Sequence, residues 1–170
     1  MPEFYASAIR KPLSPEVLLD AVADVTGVPE VIGSEGSRAV SVSGLVADSE
    51  PLDLLGRCTA DEDCQQSGIA GSDLSVRLHL LNGELLNRRI AAADGRLAKF
   101  IHKRVPAKQL VSEFYGLAFS RRPGARESEY WMKQFPASGE SSGEWSQEAT
   151  EVAHDFLWSV LNSEEFMTNQ

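Results

Sequence analysis

Val152, Ala153, Phe156, Leu157, Val160 and Leu161 recur at i, i+1, i+4, i+5, i+8 and i+9, and this run restricts the fold more than any other feature of the chain. Only an α-helix gathers such residues into one stripe, because its side chains return to the same face every three or four positions; a strand would deal them to both faces. A helix with one apolar face must bury it against other elements, so the remainder of the chain has to supply packing partners. Ser14-Pro15-Glu16 supplies the start of one: a capping hydroxyl, a proline at the first helical position and an acid near the positive end of the helix dipole. Val17, Leu18, Ala21, Val22 and Val25 follow at helical spacing, and Gly27 and Pro29 stop the run, which predicts a helix over 15–26.

Between residues 27 and 72 the helical period fades. Gly33, Ser34, Gly36 and Ser37 punctuate a loop, and Arg38 to Ser43 alternate weakly, as one short strand would. Leu52, Leu54 and Leu55 ahead of Gly56 read as a single helical turn or a buried anchor, and 56–72 as a long loop. Helical spacing resumes at Ser72-Asp73 with Leu74, Leu78, Leu81 and Leu85, where Asn82-Gly83 is expected to kink or split the helix. Further helices are expected from Arg96 to Lys103, from Pro106 through Leu110, Phe114, Leu117 and Ala118, and around Tyr130, Trp131 and Phe135; Ser163 can cap a last turn. The expectation is one mainly α domain over 1–170: an irregular bundle of about six helices with at most one short strand pair. It is helical over 15–26, loop-rich over 27–72, and helical over 73–170 with a small-residue linker at 136–145.

Sixteen Lys and Arg against 25 Asp and Glu give the 170 residues a net charge of −9. That balance opposes nucleic-acid binding, which depends on cationic neutralisation of phosphates, and no apolar run approaches the roughly 20 residues that membrane insertion needs. The charge is unevenly spread. Arg88, Arg89, Arg96, Lys99, Lys103, Arg104 and Lys108 face only Asp94 within 88–108, while the seven acids after Lys133 meet no Lys or Arg. Either the basic segment and acidic tail face each other or water, or the basic segment docks an acidic protein partner.

Candidate chemistry is sparse. Gly139-Glu140-Ser141-Ser142-Gly143 has nucleophile-elbow spacing but no strand before it, so it reads as linker. Glu151-x-x-His154 has the spacing of bundle di-metal sites but no second copy. His79, between Leu78 and Leu80, reads as a core or interface histidine with no triad partner in view. Asp61-Glu62-Asp63 lacks the remainder of a calcium loop. Cys58 and Cys64 are either a local disulfide in an oxidising compartment or two separate loop thiols, their C-x5-C spacing being unlike a zinc pair. No catalytic residue, metal ligand set or cofactor is therefore expected.

The stretch Arg10-Lys11-Pro12-Leu13-Ser14-Pro15-Glu16-Val17-Leu18-Leu19-Asp20-Ala21 resembles the "RPLSPEQLLDA" run of a planctomycete and verrucomicrobial domain of unknown function, number 1553. Ser37 to Val40 with Leu52 to Arg57, Leu78 to Gly83, Asp94 to Ala98 and Phe156 to Phe166 are similar to its later motifs, in the same order across about residues 4–169. The resemblance implies the C-terminal part of large exported proteins that carry a companion domain and a cytochrome c domain, with no activity to transfer. It departs at Glu62 to Ser67, where one cysteine and a Glu-Arg pair of the family are replaced. The expectation is then a stand-alone C-terminal piece exposing apolar surface that its relatives cover. Met1 to Phe4 show no secretory signal, whereas the family context points outside the cytoplasm.

Together these observations favour a non-catalytic helical interaction or scaffold domain whose partner is an acidic protein or one that covers an apolar patch. His79, Asn82, Arg88, Arg89, Arg96, Lys99, Lys103 and Arg104 are the candidate binding residues. The alternative is an accessory part of an extracytoplasmic enzyme or electron-transfer system linked to polysaccharide breakdown, a suggestion of the family context.

Overall fold

The computed structural model describes residues 11–32, 38–41, 49–55, 83–136 and 145–168. Among these the chain is helical, as the apolar periodicity demands: α1 (Pro15–Thr26), α2 (Glu50–Leu54), α3 (Glu84–Ile90), α4 (Arg96–His102), α5 (Ala107–Phe119), α6 (Ala125–Gln134), α7 (Gln147–Leu161) and α8 (Glu164–Met167). Helix α5 is central, touching α1, α6, α7 and α8, and α7 closes the bundle by also meeting α3 and α4.

Helix α1 begins as its sequence dictates. The Ser14 hydroxyl accepts from the Val17 amide, and Leu18, Leu19, Val22 and Val25 turn inward. It ends at Gly27, whose φ of 70° is the left-handed region where a side chain is disfavoured. A Cβ there would also lie 3.3 Å from that of Arg96, so the glycine lets α1 and α4 approach.

Residues 38–41 correct the strand expectation. Ala39–Ser41 form a 3-10 turn, and its cause lies in α1: the buried Asp20 carboxylate accepts from the amides of Ala39 (2.8 Å) and Val40 (3.1 Å). Arg38 adds a two-pronged contact to Asp24, at 3.1 and 2.8 Å. A carboxylate that caps consecutive N–H groups favours a turn over a sheet ladder. Among the described residues the only strand-like contact is an isolated antiparallel bridge between Pro12 and Thr168.

Leu52 and Leu55 resolve the other ambiguity of the loop-rich region by being both helical turn and anchor: Ser49 caps α2, and both leucines are buried. Gly83 is the N-cap of α3, so the Asn82-Gly83 position starts a helix; residues 73–82 lie outside the described residues. On α5 the buried face is Leu110, Val111, Phe114 and Tyr115, rotated from the expected stripe so that Leu117 is 40 % exposed. Tyr115 replaces Leu117 inside because it meets Phe119 at 5.2 Å and Phe156 at 6.2 Å. Phe156, from the stripe on α7, has rings of α5 and α6 around it: Phe114 at 6.2 Å and Trp131 at 4.9 Å, both edge-on. Ser146 and Ser163 cap α7 and α8.

Candidate functional site

The basic segment divides by helix register into cations that hold the fold together and cations that face solvent. On α3 the inward positions are Leu85, Leu86, Arg89 and Ile90, so Arg89 takes an apolar residue's place. It is 5 % exposed, pairs with Glu30 and donates from Nη1 to the Leu85 carbonyl at 3.2 Å. Burial pulls its pKa below the usual arginine value. Arg89 is thus a structural cation and not a docking residue. Arg96 is half-buried and partly engaged within the fold: its Nε donates to the Val25 carbonyl (3.2 Å) and its Nη2 to that of Asp24 (3.1 Å). These are orphan acceptors of the α1 C-terminus, so Arg96 closes one helix from the start of another.

The remaining predicted cations are exposed. Arg88 lies on the outer face of α3. Lys99, Lys103 and Arg104 lie on α4 and its exit, and His102 and Lys108 join them, so that ten residues around one helix–turn–helix carry five exposed basic side chains. Among the described residues no carboxylate pairs with any of these five. The turn itself is tightly defined. The Arg104 amide donates to the Ile101 carbonyl (2.9 Å) and the Val105 amide to that of Phe100 (3.0 Å), the two bonds of a Schellman helix ending. Such an ending puts its next residue in the left-handed region, where glycine is favoured; here Arg104 sits there with φ 54°. Trp145 fastens the same turn from outside, its indole N–H donating to the Val105 carbonyl at 3.2 Å.

His79, Asn82, Cys58 and Cys64 lie outside the described residues. His154 and Glu151 share α7, but the Glu151 carboxylate accepts from Gln147 at 2.9 Å. No group of three or more His, Cys, Asp or Glu side chains among the described residues is arranged to hold a metal ion, and no described helix is long and apolar enough to cross a membrane.

The strongest polar network is one that the sequence did not single out. Arg121, just beyond the end of α5, forks two ways. It reaches Glu127 through Nη1 and Nη2 (2.8 Å each), and Glu165 through Nε (2.7 Å) and Nη2 (2.8 Å). Its guanidinium lies over the rings of Tyr115 (5.3 Å) and Phe119 (5.4 Å). The hydrogen bonds from Arg121, with that from the Gly124 amide at 2.6 Å, hold the Glu127 carboxyl down at about 2, and burial raises the Tyr115 phenol. Five guanidinium N–H groups are consumed inside the protein, the fifth by the Arg122 carbonyl at 3.3 Å. This cluster ties α5 to α6 and α8 and leaves no donor for a ligand. A shallow depression of about 490 Å³ runs beside it along Ser112, Gly116, Leu117 and Arg122.

No protein-family model, curated protein or solved structure matches the chain.

Proposed function

We propose that the protein is a helical interaction module that docks a carboxylate-rich protein surface on the α4–α5 turn. The observation that carries this is the contrast within one basic segment: Arg89 is spent on internal partners and Arg96 is partly engaged by carbonyls of α1, whereas Lys99, Lys103, Arg104 and Lys108 have no partner among the described residues. Local forces account for part of the set. Lys99 sits in the last turn of α4, where the helix dipole favours a cation by about 0.3–1 kcal/mol. Two members run against local forces. Lys108 lies in the first turn of α5, the positive end of that dipole, with no acid beside it. Arg104 occupies a backbone region that costs a side-chain-bearing residue roughly 1 kcal/mol against glycine. Cations held where the fold gains nothing from them are what a surface used by an outside partner requires. The resemblance to the planctomycete and verrucomicrobial domain belongs to the same proposal, and would set the module among the parts of larger exported proteins.

The test is recovery of partners from native cells by the tagged chain and by two charge-reversed forms. One carries Lys99→Glu, Lys103→Glu and Arg104→Glu; the control carries Arg122→Glu and Arg126→Glu, equally exposed cations elsewhere. A stoichiometric partner held at low salt, released at high salt and lost only with the first form is expected. Equal recovery by both forms, or a partner unaffected by salt, refutes the docking role of this turn.

A further inference from the structure

The chain carries a surface complementary to its own basic turn. On α7, Glu148, Glu151 and Asp155 follow one another at i, i+3 and i+7, and all three are exposed. In helical register that places them opposite Ala149, Ala153, Phe156, Leu157, Val160 and Leu161, which α7 buries. No cation among the described residues pairs with any of them; Glu151 accepts only from the Gln147 amide group. The α7 dipole accounts for Glu148, which lies in the first turn, and for neither of the others. The first and last of the three are seven positions apart, about 10 Å along the helix axis. Lys99 on α4, Lys103 at its C-cap and Arg104 beyond lie within five positions, about 7.5 Å at the helical rise. Most other described carboxylates are accounted for internally. Asp20, Asp24, Glu30, Glu127, Glu129 and Glu165 bind cations, and Glu16, Glu50 and Glu84 sit at helix starts.

Resting on the docking role proposed above, we infer that the occupant of the basic turn is a second copy of this chain. The α7 carboxylates of one copy lie against Lys99, Lys103 and Arg104 of the other, and a two-fold axis makes the contact twice. Such an isologous pairing needs one complementary pair of surfaces on each chain, and it closes at two copies. The two like-charged molecules repel at long range, but at about 0.1 M salt that repulsion is screened beyond roughly 10 Å, while the contacting charges are not. The pairing is therefore salt-sensitive, weakening as ionic strength rises further.

The experiment is a charge swap read by light-scattering mass and sedimentation over a range of protein concentrations. One form carries Lys99→Glu, Lys103→Glu and Arg104→Glu, and the other Glu148→Lys, Glu151→Lys and Asp155→Lys. The wild-type chain is expected to dimerise and each form to be monomeric, since one presents acid to acid and the other base to base. A 1:1 mixture of the two forms restores both contacts and is expected to recover the dimer. If either form melts non-cooperatively, Lys99→Gln with Lys103→Gln replaces it, with a weakened dimer expected. A monomeric wild type at every concentration, forms that dimerise as well as the wild type, or a mixture that stays monomeric each overturns the self-pairing. A monomeric wild type that still loses a cellular partner on reversal of the turn leaves the docking role standing and assigns the surface to another protein. Loss of neither dimer nor partner overturns both.

Discussion

Replacing Arg121 by Met isolates what the guanidinium contributes, because a methionine keeps most of the packing over Tyr115 and Phe119 and removes every charge-assisted bond. The magnitude follows from the Glu127 carboxyl, which Arg121, helped by the Gly124 amide and the Tyr115 hydroxyl, brings from 4.5 to about 2. Taken at face value the shift corresponds to roughly 3 kcal/mol. The side chains of Arg121 and Glu127 are 37 % and 36 % exposed, so solvent screening reduces this to about 1–2 kcal/mol. Glu165 is held by a second fork of similar geometry and exposure, which brings the expected loss in Arg121→Met to about 2–3 kcal/mol. For a chain of this length the melting temperature then falls by roughly 4–12 °C. The sign with pH is fixed by the direction of the shift. A carboxyl whose folded value is depressed contributes fully above its unfolded value and loses that contribution as pH falls toward the folded one. The gap in melting temperature between wild type and Arg121→Met should be full at pH 7 and should narrow between pH 4.5 and 2. Calorimetry of both proteins across that range, with Glu127→Gln closing a double-mutant cycle, supplies the measurement. A loss below about 0.5 kcal/mol at neutral pH, the size of an ordinary surface substitution, refutes the clamp. So does a gap that stays constant down to the acid limit.

Three further perturbations have definite expectations. Phe156→Ala empties the centre of a cluster formed by Phe114, Tyr115 and Trp131, and should cost about 3–5 kcal/mol in chemical denaturation; a cost under 1 kcal/mol would mean that these rings do not form the core. Arg89→Ala leaves Glu30 without its cation in a half-buried place and should destabilise by about 3 kcal/mol, whereas Arg89→Met with Glu30→Gln should recover most of that; equal losses in both would contradict the pairing. Arg104→Gly relieves the left-handed backbone and should raise stability by about 0.5–1 kcal/mol while weakening docking at the turn; a destabilised variant would show that the Arg104 side chain serves the fold.

Helix α1 was legible because it announces itself twice, by a cap and by an apolar period, and α7 by its period, whereas α3, α4 and α5 carry no side-chain cap. Ser14-Pro15 with Gly27 fix both ends of α1, while the six-residue stripe of 152–161 marks the end of α7 at Leu161 but not its start at Gln147. Where two short-range signals compete, the sequence is ambiguous. The alternation at 38–43 is weak evidence for a strand, and it gives way at 39–41 to a carboxylate nineteen positions earlier that no local pattern reveals. The rotated face of α5 has the same origin: Leu117 and Tyr115 are both acceptable inward residues, and the choice is made by rings from α7. The basic segment was legible as composition but not as a surface, although Arg89 carried a signal. It continues the period of Leu85, Leu86 and Ile90, and a charge on an apolar stripe implies a buried partner. Arg121 offered no such signal, because its two carboxylates come from six residues and forty-four residues away.

The bridge between Pro12 and Thr168, with the Leu13 amide donating to the Met167 carbonyl at 2.9 Å, brings the first and last described segments together at one point. Mechanically this makes the domain a clasp. Tension applied through residues 11 and 168 loads that single pair first, opening it like a zipper rather than in shear. It then loads the contacts that α1 and α8 each make with α5. A domain fastened this way yields to pulling along the chain at forces well below those that sheared strands resist.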